Sequence, residues 1–412
     1  MKKGKQMKLI ILMTALLLLA AAGSHGEELT LDKAIEIGLQ NNYSIQIARN
    51  NAKISANNKG EGTAGFLPTI DASGGYELGM SDEESNSAGS LGDTDSENLN
   101  AQLALNWTIF DGLKMFADKA QFDALAKLGE YQARDIIESN VVAISSTYFN
   151  LVQLEQLLDV ARESRDISLE RFNQEKVRNE LGGASTTDLL NAQVAYNTDQ
   201  SSLIEQELQV EIAAKDLNIL LGRDPATPVT VVKEIVIPQL VVDYDGLLLQ
   251  AQEYNAAILS ARQNMEIANQ SLKGARSNFF PKLALNASYG YTDRTTSSSP
   301  SPSLFEDITT ETTSGTVGLQ LTFNLFKGGR DKIKLTNAKI EANNQRLALR
   351  DEEIQLAGQV PQTWDTFNRR MELVRLEEEN VVAARQNIEL QQDRYKLGVT
   401  GSLDFRDAQV SF

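Results

Sequence analysis

The sequence predicts a mainly α protein with a β-barrel portion, in which one set of elements (helix, strand, strand, helix, turn, helix) is written twice. Three observations carry this reading. One helix is expected to run for roughly 70 residues, too long for a globular domain, with an apolar seam stepping by threes and fours, four stretches alternate with period two, and the two halves of the 412-residue chain match each other.

The match is explicit in the residues. Asn42-Tyr43-Ser44-Ile45-Gln46-Ile47-Ala48-Arg49 aligns with Asn255-Ala256-Ala257-Ile258-Leu259-Ser260-Ala261-Arg262, and Phe66-Leu67-Pro68 with Phe279-Phe280-Pro281, both at an offset of 213. Downstream the offset is 216: Ile109-Phe110-Asp111-Gly112 pairs with Leu325-Phe326-Lys327-Gly328, and Asp188-x-x-x-Ala192-Gln193 with Asp404-x-x-x-Ala408-Gln409. A period this long describes a duplicated half-protein, not a solenoid. The expected halves are residues 27–221 and 245–412, with a linker over 222–244 that carries Pro225, Pro228 and Pro238 and reads as a mid-column belt.

Taken in order, the first 26 residues read as an export address. Lys2, Lys3, Lys5 and Lys8 precede a 14-residue apolar run, Leu9 to Ala22, followed by small residues that suit cleavage. A helix needs about 20 apolar residues to span a bilayer, so a signal peptide over 1–26 is expected in preference to a retained anchor. No later run is long and apolar enough to cross a membrane as a helix, so any membrane portion must be built of strands.

The first helix is expected from about Thr30 to Gly65, ended by Pro68. Strands follow at about 67–80 and 98–110. In the second of these, Leu99, Ala101, Leu103, Leu105, Trp107 and Ile109 alternate with Asn98, Asn100, Gln102, Ala104, Asn106 and Thr108. The second half repeats the pattern at about 281–291 and 315–326, with Leu283, Leu285, Ala287, Tyr289 and Tyr291 and then Val317, Leu319, Leu321, Phe323 and Leu325. Each strand thus has an apolar and a polar face. Alternation alone also fits the half-buried sheet of a soluble sandwich. The strand lengths match the apolar band of an outer membrane, about 25 Å. The acidic stretch 81–97 and the Ser, Thr and Pro-rich stretch 292–314 read as solvated loops joining each pair. Four strands are too few to close a barrel, for which about eight is the smallest common number, so several chains must contribute.

The long helix of the first half is expected from near Gly112 to about Leu181, roughly 105 Å at about 1.5 Å per residue. Its Ile137, Val141, Ile144, Tyr148, Leu151, Leu154 and Leu158 step by threes and fours, as in a coiled-coil seam. Val360, Trp364, Phe367, Met371 and Val374 do the same in the second half, where Pro361 predicts a local kink. A third helix, about Thr186 to Leu221, matches the first in length. The two short helices would stack end to end beside the long one, giving two columns per half. After Ser402 only about 10 residues of the matching return helix are present, so the second repeat reads as C-terminally incomplete.

The hairpin tips have their own chemistry. Gly182 and Gly398 can take the left-handed conformation that ends a helix. Ser185 or Thr186, and Ser402, can cap the next one, with Asp188 and Asp404 in its first turn. Capping is the favoured reading of Asp188. Asp404 differs because Asp407 follows at i+3 on the same helical face, where the first half has Asn191.

Composition narrows the function classes. The chain has no Cys, and its single His, His25, lies in or beside the signal segment. The commonest general base, most zinc ligands and every thiolate nucleophile are therefore missing, so an enzyme is not expected, nor a cofactor or metal centre. The formal charge of −17 becomes −21 once the four signal lysines are removed, which argues against nucleic acid as a partner.

The residues that recur at each turn resemble the TolC-type outer-membrane efflux protein family, the outer-membrane component of tripartite exporters. They are Gly65-Phe66-Leu67-Pro68 entering a strand, Ile109-Phe110-Asp111-Gly112 and Leu325-Phe326-Lys327-Gly328-Gly329-Arg330 leaving one, and Tyr395-Lys396-Leu397-Gly398 with Ser402-x-Asp404-x-x-Asp407-Ala408-Gln409 at the far turn. The resemblance runs over nearly all of the mature chain.

It implies a homotrimer pooling its strands into a 12-stranded barrel in outer-membrane lipid, continued into the periplasm of a Gram-negative bacterium by a 12-helix α-barrel. It implies docking onto a periplasmic adaptor (membrane fusion protein) and an inner-membrane pump, for multidrug efflux or type I secretion. The tip turns Leu181, Gly182, Gly183, Ser185, Thr186, Asp188, Leu397, Gly398, Val399 and Ser402 would form the docking surface. Asp404, Asp407 and Tyr395 would form the periplasmic gate, two carboxylates per chain around one axis. Thr400 departs from the Arg of some members, so a closing salt bridge there is not expected. Two other classes remain beside this reading. One is a soluble periplasmic coiled-coil adaptor, which would share the export signal and long hairpins. The other is a carboxylate glycosidase, for which no cleft-forming scaffold is evident.

Overall fold

The computed structural model describes residues 28–81, 93–183, 185–235, 243–299, 308–397 and 399–411. The expected signal peptide, Gly398, and parts of the linker and of the two strand-joining stretches lie outside the described residues. The elements run α1 (Leu31–Asn41), α2 (Tyr43–Asn57), β1 (Thr69–Ser81), β2 (Asp93–Phe110), α3 (Lys114–Glu180) and α4 (Thr186–Leu220). They continue α5 (Tyr244–Tyr254), α6 (Ala256–Arg276), a 3-10 turn at Ser277–Phe279, β3 (Lys282–Ser299), β4 (Ile308–Thr322), α7 (Arg330–Lys396) and α8 (Ser402–Ser411). Two compact units emerge. Of the described residues, one gathers those up to Arg49, those of Ala133–Ala251 and those from Ala357 on; the other gathers those of Asn50–Gln132 and Gln252–Leu356.

In the first unit the predicted seam of α3 is the core. Ile144, Tyr148, Leu151 and Val152 are buried with Leu217 and Leu221 at the end of α4 and Ala34 of α1. Each such aliphatic side chain contributes about 1.5–3 kcal/mol on burial. The linker closes this core from one side, since Val231 forms a parallel bridge with Leu29 and the Tyr148 hydroxyl donates to the Leu29 carbonyl at 2.8 Å. The second seam is less covered: Trp364 and Phe367 are half-buried, and Val374 is exposed.

The single first helix expected from the sequence is two helices. Asn42 leaves helical geometry (φ −60°, ψ 123°), its side-chain oxygen accepts from the Ile45 N–H at 3.2 Å, and its amide donates to the Leu220 carbonyl at 2.8 Å. Asn255, the matching residue, separates α5 from α6 in the same way and accepts from the N–H groups of Ala257 and Ile258. Asn is a preferred N-cap, which is why the helix restarts at both places. α7, by contrast, runs through Pro361 without interruption.

The second unit holds one antiparallel sheet in the order β1-β2-β3-β4. The register collects the apolar residues of all four strands on one face: Ile70 lies opposite Leu105, Leu105 opposite Ala287, and Ala287 opposite Val317. Most of that face is exposed, including Ile70, Leu103, Leu319 and Leu321. Among the described residues β1 and β4 each have one unpaired edge. Three strands reach further out than expected, β2 starting at Asp93, β3 running to Ser299 and β4 starting at Ile308, because Thr-rich stretches read as loop can pair, whereas β4 ends at Thr322, short of the expected 326. Hydroxyls bond across the ladder, Thr295 to Thr309 at 3.1 Å in those stretches and Ser288 to Thr316 at 2.7 Å inside the expected strands.

Gly112 joins sheet to helix with a φ of +77°. A Cβ there would lie 2.5 Å from the Ser277 carbonyl oxygen and 2.9 Å from Phe280 Cβ, so both the conformation and the close approach require glycine.

Candidate functional site

The two hairpin tips belong to the first unit. The α3 end turns over at Gly182 (φ +74°), with the Gly183 N–H donating to the Arg178 carbonyl at 2.7 Å. α4 then starts in a capping box: the Asp188 N–H donates to Ser185 Oγ at 3.2 Å, and the Asp188 carboxylate accepts from the Ser185 N–H at 3.3 Å. Asp188 is thus engaged in its own helix start. Leu181 at this tip and Leu397 and Val399 at the other are strongly exposed. At the second tip the Val399 N–H donates to the Arg394 carbonyl at 2.9 Å, and Thr400 Oγ1 donates to Gln391 at 3.3 Å. The side chains of Ser402 and Asp404 lie outside the described residues. Asp407 is exposed.

Tyr395 is buried. Its hydroxyl donates to Glu175 Oε1 on α3 at 2.6 Å, and its ring stacks on Phe405 of α8 with centroids 5.3 Å apart. Burial, then the hydrogen bond to Glu175, push its phenol far above the usual range. Glu175 also pairs with Arg178 at 3.3 Å.

Beside this pair lies a buried polar network that the sequence did not reveal. Arg406 of α8 makes a bidentate pair with Asp199 of α4, Nη1 to Oδ2 at 2.7 Å and Nη2 to Oδ1 at 2.9 Å. Ser168 of α3 donates to the same carboxylate, and Gln409 donates to the Ser164 carbonyl at 2.9 Å and to Ser168 Oγ at 3.2 Å. Arg171, also buried, has its guanidinium held below its usual range by burial first, and its Nε and Nη1 make no hydrogen bond within the protein. The network ties α8 to both helices of the first hairpin. Phe405, Ala408 and Gln409 face inward while Asp407 faces out, so the helix has a fixed rotational setting.

The only sequence trace of this network was the small-residue match Ala192-Gln193 with Ala408-Gln409, whose alanines are both buried. Asp199 and Arg406 are 207 positions apart, and no local spacing links them.

The family described as outer membrane efflux protein matches residues 34–223 and 247–412. The chain is similar to outer membrane protein TolC of Escherichia coli, 21% identical over 318 residues, covering 77% of this chain and 64% of TolC. It is similar to the alkaline protease secretion protein AprF of Pseudomonas aeruginosa, 24% identical over 384 residues, covering 90% of this chain and 77% of AprF. Among solved structures it shares its fold with the Campylobacter jejuni CmeC outer membrane channel, with a TM-score of 0.73 at 17% identity, covering 92% of this chain and 79% of that one. The chain thus spans just under two thirds of TolC's length.

Proposed function

From a chain that belongs to the outer membrane efflux protein family, we propose that this protein is the protomer of a trimeric, passive exit duct in the outer membrane of a Gram-negative bacterium. The duct extends into the periplasm and docks there on a periplasmic adaptor and an inner-membrane pump, and no catalysis is assigned to it. One observation carries the reading: a four-stranded sheet with an exposed apolar face and, among the described residues, two unpaired edges. Such a sheet is too narrow to close on itself and too apolar on that face to be left in water. Three copies edge to edge supply 12 strands, with the apolar faces toward lipid and the polar faces toward the lumen. The two half-chains, related by duplication, continue each set of strands as helical columns. The relative named for secretion, AprF, and the channel that shares the fold support this reading. The adaptor alternative leaves the sheet without a purpose.

At the tips, exposed Leu181, Leu397 and Val399 supply the apolar contacts of an adaptor-docking surface, together with Gly182, Gly183, Ser185, Thr186, Asp188, Gly398 and Ser402 of the turns. Asp407, outward on a rotationally fixed α8, and Asp404 three residues before it form the ring at the constriction; Tyr395 supports that helix through its stack on Phe405 and is itself held to α3 by Glu175. The test is open-pore current in planar bilayers. Asp404→Asn with Asp407→Asn should reduce block by divalent cations, and unchanged block would sink the gate.

A further inference from the structure

We propose that the cleft between the start of α3 and the end of α6 is a binding site for an anionic phospholipid, an inference that rests on the outer-membrane reading above. The cleft lies wholly in the second unit, has a volume of about 540 Å³, and is walled by Leu113, Phe116, Ala120 and Phe280, with Lys273 and Arg276 at its edge. It sits where β2 ends at Phe110 and β3 begins at Lys282, the helix-side rim of the sheet.

Three features select this occupant. The first is charge. Among the described residues neither Lys273 nor Arg276 is in an ion pair, whereas Lys114 and Lys119 on the adjoining helix are taken by Asp118 and Asp123. The second is continuity with the apolar strand face. Trp107, from that face, donates its indole N–H to the Phe66 carbonyl at 2.9 Å, and the Phe66 ring meets the Phe116 ring edge-on at 5.1 Å. Phe116 in turn lines the cleft. A row of aromatic residues, its first link a hydrogen bond and its second a ring contact, therefore leads from the apolar strand face to the cavity. The third is depth: aromatic and basic side chains gather at the level of lipid headgroups. An acyl chain fills the apolar wall while a phosphate meets the two cations. A free phosphate would satisfy the cations and leave the wall wet.

The test is native mass spectrometry of the intact outer-membrane particle. It is incubated with phosphatidylglycerol, with phosphatidylcholine as the zwitterionic control and inorganic phosphate as competitor. The parent should retain phosphatidylglycerol over phosphatidylcholine. Each cation near an anionic headgroup contributes about fivefold, so Lys273→Gln with Arg276→Gln should lose that preference by about 25-fold. Ala120→Phe keeps both charges, fills the cleft, and should lose both lipids. Equal retention by the parent and both variants overturns the site, as does displacement of the lipid by inorganic phosphate. A parent that is no outer-membrane oligomer overturns the duct reading first, and the lipid site with it.

Discussion

Replacing Arg406 by glutamine removes one side of the buried pair that holds α8 to the first hairpin. Side-chain exposure is 24% for Arg406 and 10% for Asp199. Breaking a fully buried ion pair by deleting one partner costs about 3–5 kcal/mol, because the other charge is left behind. The partial exposure of Arg406 lets water reach Asp199, and Ser168 and Gln409 still donate to it, so about 2–3 kcal/mol is expected here. If α8 opens locally, its amide hydrogens should exchange about 30- to 140-fold faster, with the core of α3 around Leu151 unchanged. Asp199→Asn keeps the shape and should have a smaller effect, and the double variant should cost less than the sum, as residues in direct contact do. The assay is hydrogen exchange of the intact particle read by mass spectrometry over residues 402–411. Acceleration below about threefold in Arg406→Gln would mean that the apolar contacts of Phe405 and Ala408 hold the helix and the ion pair does not.

Three further outcomes follow from the same structure. Gly112→Ala should destabilise by about 2–4 kcal/mol, from left-handed backbone strain plus the clash with the Ser277 carbonyl, visible as lower recovery of folded protein from membranes. Leu103→Arg, on the apolar strand face, should cost about 2–4 kcal/mol in a membrane, whereas Gln102→Arg on the opposite face should be tolerated; comparing folded yield in the outer-membrane fraction separates them. Glu155 has its carboxyl pushed up, first by burial and only partly offset by Lys233. A raised folded-state pKa favours the protonated form, so this group weakens the fold as pH rises through that value and has no effect below the ordinary Glu range. Glu155→Gln should therefore raise the unfolding temperature at pH 7 and leave it unchanged near pH 4, which a pair of thermal melts can check.

Much of the architecture was legible because it is written in periodicity. The alternation from Leu99 to Ile109 gave β2 and its apolar face, and the three-four spacing from Ile144 to Leu158 gave the buried seam of α3. The breaks at Asn42 and Asn255 were missed although both residues stood in the repeat match. An Asn inside an apolar-periodic run costs a helix little, and its capping role depends on the chain around it, such as the Leu220 carbonyl that Asn42 meets. The outer ends of β3 and β4 were missed because Thr and Ser signal both loop and strand until a partner is known. The turn chemistry at Ser185 and Asp188 is local in sequence and could be read there. The pairs Tyr395–Glu175 and Arg406–Asp199 join residues more than 200 positions apart, so only the folded chain brings them together.

The proposed pooling of four strands per chain into one membrane barrel is tested most directly by the mass of the particle extracted with detergent from the outer-membrane fraction of cells expressing the full-length protein. A trimer in that fraction is the predicted result; a monomer recovered from the soluble periplasm would contradict it.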